Sequence, residues 1–127
     1  MATCNSQSNH RQVNETIPLD QIYELLADWS RRSALYCLYL NENPVKLSAV
    51  AQQIATWNHP HSDYRERRER VYTQLYHCHV PKLCDADIIR YDPAEDSVSL
   101  AENAREIRPY IERAAEDELN TNERYGL

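Results

Sequence analysis

The stretch "LYHCHVPKLCD", Leu75 to Asp85, packs His77, Cys78, His79 and Cys84 into eight positions, and these residue types bind zinc and its relatives when geometry allows. Just upstream, "RERRER" sets Arg65, Arg67, Arg68 and Arg70 around two glutamates, a cluster suited to holding phosphate. The two chemistries ask different things of the backbone. On a helix, a metal site needs ligands three or four residues apart. His77 and His79 are two apart and therefore on different sides, and Cys84 is five from His79, so a helix through this stretch scatters the ligands. His59 and His61 offer a distant pair, but nothing local fixes them nearby. The reading is therefore no metal and no cofactor, with His79 a core-edge residue whose ring nitrogen is satisfied. For the arginines, the modest alternative is a solvated helix start laced by Arg65–Glu69 and Glu66–Arg70 pairs, each contributing only ~0.3–0.5 kcal/mol. The functional alternative is a phosphate clamp at the start of a DNA-reading helix. Thr73, Gln74 and His77 then face base edges, while Arg31 and Arg32 either touch flanking phosphates or simply coat a surface.

The elements that must position these residues follow from periodicity. Residues 1–16 are polar and aperiodic, and are read as a disordered arm. Leu19, Ile22, Tyr23 and Leu26 recur at helical spacing behind Pro18. After "DWS" a second helix is expected with Ser30 as its N-cap and Leu35, Leu38 and Tyr39 on one face, stopped by Asn41-Glu42-Asn43-Pro44. "PVKLS" is short enough for a small strand, and Ser48 is placed to cap a third helix carrying Val50, Ile54 and Trp57. A long helix is expected from about Asp63 to Ala86. Its apolar stripe runs through Tyr72, Tyr76, His79 or Val80 and Leu83, with Val71 and Leu75 beside it; the opposite face holds Arg67, Arg70, Thr73, Gln74 and His77, with Cys78 and Pro81 at its margin. "IIRYD", a turn at Pro93 to Asp96, and "SVSL" then read as a hairpin. Ala104, Ile107, Ile111, Ala114 and Leu119 return to helical spacing, with Pro109 kinking that helix or opening its second part.

Bulk properties narrow the function. A chain of 127 residues supports one modest core. It has nine Tyr and no Phe, so its aromatic rings carry hydroxyls that need partners. The formal net charge of −6 leaves only a local patch to attract phosphate. No run approaches the ~20 apolar residues of a membrane span, and no apolar leader is present, so a cytoplasmic protein with four free thiols (Cys4, Cys37, Cys78, Cys84) is expected. The one glycine, Gly126, excludes a glycine-rich phosphate loop, and no nucleophile has a base placed by a known motif, so the chain is read as no enzyme.

Helix, helix, small strand, helix, long helix, hairpin, helix is the order of a winged helix-turn-helix domain with an added C-terminal helix: mainly α with a small β-hairpin wing. The run "HVPKLCDADIIRYD" resembles the end of the recognition helix and the first wing strand of ArsR-like winged-helix regulators. Together with "LADWSRRSALYCLYL", "SAVAQQIATW" and "DPAEDSVSL", it resembles a family of small winged-helix proteins of halophilic archaea, presumed transcriptional regulators. That resemblance implies a sequence-specific, homodimeric regulator of transcription whose partner is double-stranded DNA, with the helix at about 65–86 in the major groove. Two positions depart from it: Asp87 stands where a helix-ending glycine is usual, and Glu95 and Asp96 make the wing tip acidic. The expected organisation is an arm at 1–16, the winged domain at 17–100, a dimerisation helix at 101–119 and a flexible tail at 120–127. The dimer is assigned to Ile107, Tyr110, Ile111, Ala114 and Leu119, against the alternative that this helix folds back on its own chain. A second function, a winged helix that binds protein and not DNA, is favoured by the acidic wing and by Glu112, Glu116, Asp117 and Glu118.

Overall fold

The computed structural model describes residues 17–57 and 63–119, and the side chain of Leu119 is not among those described. The expected arm and tail, Cys4, His59 and His61 lie outside them. The chain is mainly helical with a small three-stranded antiparallel sheet. Its elements in order are α1 (Leu19–Leu26), α2 (Trp29–Leu40), β1 (Val45–Lys46), α3 (Leu47–Trp57), α4 (Tyr64–Gln74), a π-helical turn (Leu75–His79), α5 (Val80–Asp85), β2 (Ile89–Asp92), β3 (Ser97–Leu100) and α6 (Ala104–Leu119).

Local chemistry sets most boundaries. Asp28, and not the expected Ser30, caps α2: its carboxylate accepts from the Ser30 amide at 2.7 Å and the Arg31 amide at 3.1 Å. α3 starts at Leu47, so Ser48 lies inside the helix it was expected to cap. α4, the π turn and α5 form the expected long helix. The Val80 amide reaches back five residues to the Leu75 carbonyl, and Pro81, which has no amide to give, follows directly. At the far end the Ile88 amide bonds the Leu83 carbonyl (3.0 Å) and the Asp87 amide bonds that of Cys84 (2.9 Å), a Schellman closure with Asp87 left-handed at φ 63°. Asp87 therefore does the work of the usual glycine.

β3 lies between its partners, pairing antiparallel with β1 through Val45–Val98 and with β2 through Ile89–Leu100 and Tyr91–Val98. Ile89, Tyr91 and Val98 face a core built on Leu25, Leu35, Leu47, Ile54, Leu75, Leu83 and Ile88, each such side chain contributing ~1.5–3 kcal/mol by leaving water. α6 packs antiparallel along α2. The Tyr39 hydroxyl donates to the Ala104 carbonyl (2.6 Å), and Arg32 and Tyr36 both bond the Glu118 carboxylate. Pro109 is accommodated inside α6, on its exposed side.

Two expectations are corrected here. Ile107 and Ile111, assigned to a dimer interface, are 0% and 3% exposed inside their own chain, because α6 folds back on α2. Of the cysteines, Cys37 and Cys78 are free thiols, whereas Cys84 is disulfide-bonded. Among the described residues, no helix is long and apolar enough to cross a membrane.

Candidate nucleic-acid interface

The long helix has two unlike sides. Asp63 caps its start, accepting from the Arg65 amide at 3.0 Å, and Glu66 adds a negative charge in the first turn, where the helix dipole favours it. Inward, at intervals of four, stand Arg67, Val71, Leu75 and His79. Outward stand Arg65, Arg70, Thr73, Gln74, His77 and Cys78, all exposed. Neither the Arg65–Glu69 nor the Glu66–Arg70 pair is formed among the described residues. Arg68 is turned toward α3, and with Thr73, Tyr72, Ser48 and Gln52 it lines a groove of about 520 Å³ between the start of α3 and the middle of α4. The lining mixes apolar and polar surface: it carries hydroxyl, amide and guanidinium groups, which can bond phosphate or base edges, together with Ala51 and the carboxylate of Glu69, which repels phosphate.

Three residues of the expected DNA contact set do something else. Arg31 is buried: its Nε donates to the Leu25 carbonyl at 2.7 Å and its Nη2 to that of Glu24 at 3.0 Å. Arg32 donates to the Leu26 carbonyl at 2.6 Å and pairs with Glu118 at 2.7 Å. Arg67 is buried too, donating to the Ala55 carbonyl at 3.2 Å with its guanidinium over the Tyr64 ring. The last turns of α1 and α3 contain no basic residue of their own. The three arginines donate to carbonyls of those last turns, and the Glu24 carbonyl accepts from the Ala27 amide as well.

His79 is where the sequence placed it, at the core edge with its ring partnered. Nδ1 lies 3.4 Å from Arg31 Nη1, and Nε2 lies 3.7 Å from Asp28 Oδ1. An arginine only donates, so the neutral ring accepts at Nδ1 and keeps its proton on Nε2, toward Asp28. Burial lowers the His79 pKa; Asp28 pulls it the other way, and Arg31 and Lys82 add to the lowering. For Asp28, burial pushes the pKa up, but the Arg31 and Ser30 amides together with the charges of His79 and Arg31 outweigh it and hold the carboxyl below its usual range.

The hairpin tip holds what the sequence did not disclose. Asp96, read as part of an acidic wing tip, accepts the Tyr72 hydroxyl at 2.7 Å and the Tyr91 hydroxyl at 2.5 Å. Glu95 is also engaged, by Lys46 Nζ, at its backbone carbonyl (2.7 Å) and at its carboxylate (3.3 Å). The tip's charges are thus largely answered from within the chain. Ser48 and Gln52 were likewise missed as groove residues; an exposed polar pair four apart on α3 was the available signal.

No curated protein and no solved structure matches the chain. One family does, over residues 23–99, a span running from α1 to β3 that takes in both walls of the groove, the long helix and the hairpin: the chain belongs to the family described as a domain of unknown function (DUF7344).

Proposed function

We propose that this protein is a sequence-specific binder of double-stranded DNA that regulates transcription, with a winged helix-turn-helix architecture in which α3 and α4 are the helix pair and β2–β3 the wing. The observation that carries it is the outer face of the long helix: Arg65, Arg70, Thr73 and Gln74 of α4 and His77 of the π-helical turn that follows stand exposed, beside a groove lined by Arg68, Ser48 and Gln52. A helix about 11 Å across fits the ~12 Å major groove, with the arginines of its first turns toward phosphate and Gln74 and His77 toward base edges. The strand order β1-β3-β2, and the resemblance of "HVPKLCDADIIRYD" to ArsR-like regulators, support the same reading. The protein is proposed to act as a homodimer through the face shared by α1 and α6, where Leu19 and Tyr23 are exposed beside Tyr110.

The test is enrichment of bound fragments from a random DNA pool, followed by a salt titration on the winner. A common motif and a log–log salt slope set by the phosphates contacted are expected. A pool that yields no motif at any salt concentration sinks the proposal.

A further inference from the structure

We propose that Asp96 is a positioning residue: its carboxylate joins the hairpin tip to α4 and so fixes where the hairpin stands relative to the groove at Arg68 and Thr73. This deepens the DNA-binding reading of that face and rests on it.

The joint is made by one residue with three attachments, two on its carboxylate and one on its backbone carbonyl. Oδ2 takes the Tyr72 hydroxyl of α4 at 2.7 Å, and Oδ1 takes the Tyr91 hydroxyl of β2 at 2.5 Å. The Asp96 carbonyl takes the Leu47 amide, at the start of α3, at 2.8 Å. Asp96 itself sits left-handed, at φ 50°, where glycine or asparagine would close the turn with less strain. Neither of those could present two anionic oxygens to two hydroxyls, and hydrogen bonds to a charged acceptor are the stronger kind. The rings complete the joint. Tyr76 stacks on Tyr72 (centroids 6.3 Å apart) and meets Tyr91 edge-on at 6.2 Å, so three tyrosines bridge helix and hairpin around the carboxylate. Tyr72 also lines the groove, so a hairpin that swings free takes the groove wall with it.

The competing explanation is that Asp96 is one more acid that repels phosphate. Glu95, its neighbour of equal charge, separates the two, because among the described residues its carboxylate meets just the exposed Lys46. If repulsion rules, Glu95→Gln and Asp96→Asn both tighten DNA binding. If Asp96 positions the hairpin, Glu95→Gln binds the preferred site at least as well as wild type, while Asp96→Asn loses about tenfold there and little on random DNA. Two readouts need no DNA. Hydrogen exchange of the amides at 89–100 should rise in Asp96→Asn but not in Glu95→Gln. In the ultraviolet titration Tyr72, whose pKa burial and the Asp96 hydrogen bond push up to about 12, should ionise at lower pH in Asp96→Asn. Should Asp96→Asn fail to fold, Tyr72→Phe removes one bond, keeps the ring, and tests the same joint by hydrogen exchange and site affinity. Unchanged exchange with unchanged site affinity overturns the proposal. Freed hairpin amides in a protein that retains no DNA at all would support the joint and sink the DNA reading alone.

Discussion

What an arginine contributes depends on what its fork meets. Arg31, Arg32 and Arg67 meet carbonyls at helix ends and are part of the fold; Arg68 and Arg70 meet a groove and solvent. Their substitutions should therefore separate cleanly. Arg67→Ala removes a buried donor from the Ala55 carbonyl and should cost ~1–3 kcal/mol in denaturant unfolding, while the salt slope of DNA binding stays put. Arg68→Ala with Arg70→Ala should do the reverse: stability within ~0.5 kcal/mol and a slope flattened by ~1 per lost phosphate contact. A double variant with the wild-type slope would remove this pair from the interface. The inward arginine was legible in principle, since Arg67 stands four before Val71 and eight before Leu75 on the apolar row. Charge masked it, because a buried guanidinium shows in a sequence only when its carbonyl partners are known. His79 carries a second prediction. Its folded pKa lies below the ordinary ~6.5, so the unfolded chain takes up the proton first as pH falls. The stability of the neutral ring between Arg31 and Asp28 is complete above that value and is lost as pH falls from it toward the folded pKa. Melting curves of wild type should thus drop in this window relative to His79→Gln, and parallel curves for the two proteins would refute it.

At the scale of elements, periodicity showed nearly everything that depends on local spacing. The helices, the small strand and the hairpin all follow from apolar recurrence and turn chemistry, whereas the helix close at Asp87 came from the resemblance to winged-helix regulators. The π turn does not, because apolar spacing over 75–79 cannot tell a five-residue return from a four-residue one; Pro81 marked only that some amide would be missing. The docking of α6 was also ambiguous, since a stripe says that a helix is covered but not by which chain. Ile107 and Ile111 resolve it, lying buried against their own core, with Tyr39 and Glu118 fixing the helix at either end. Ile111→Asp is accordingly expected not to give folded monomers, the outcome a dimer seam would give. It should cost ~4 kcal/mol or more by placing a carboxylate in a site 3% exposed, and unfold much of the population. Circular dichroism against urea decides this: a variant within ~1 kcal/mol of wild type would mean that α6 is not held as described.

The whole molecule is acidic at a net charge of −6, so any DNA binding must gather its few outward arginines against an unfavourable field, and two copies do this better than one. The surface suited to a second copy is not the buried row of α6 but the seam beside it. Tyr23 is 58% and Leu19 50% exposed on α1, and Tyr110 of α6 meets Tyr23 edge-on at 6.1 Å. Tyr23 and Tyr110, with Leu26 and Ala114, border a shallow cleft of about 450 Å³, rimmed by Arg113 and Asp117. Large exposed rings clustered at a two-helix seam, with charges of both signs around them, suit an isologous contact, in which each protomer sets its Tyr23 against the other's cleft. Under the proposed function, such a pair is expected to read DNA at two half-sites about one turn, ~34 Å, apart. Tyr23→Glu tests this without touching the core, since that side chain lies mostly in water. The variant should keep the wild-type circular dichroism and melting point, sediment as a monomer where wild type sediments as a dimer, and bind a two-half-site operator no more tightly than a single half-site. Wild type that sediments as a monomer at tens of micromolar, or Tyr23→Glu that remains a dimer, would break the link between this seam and paired reading helices.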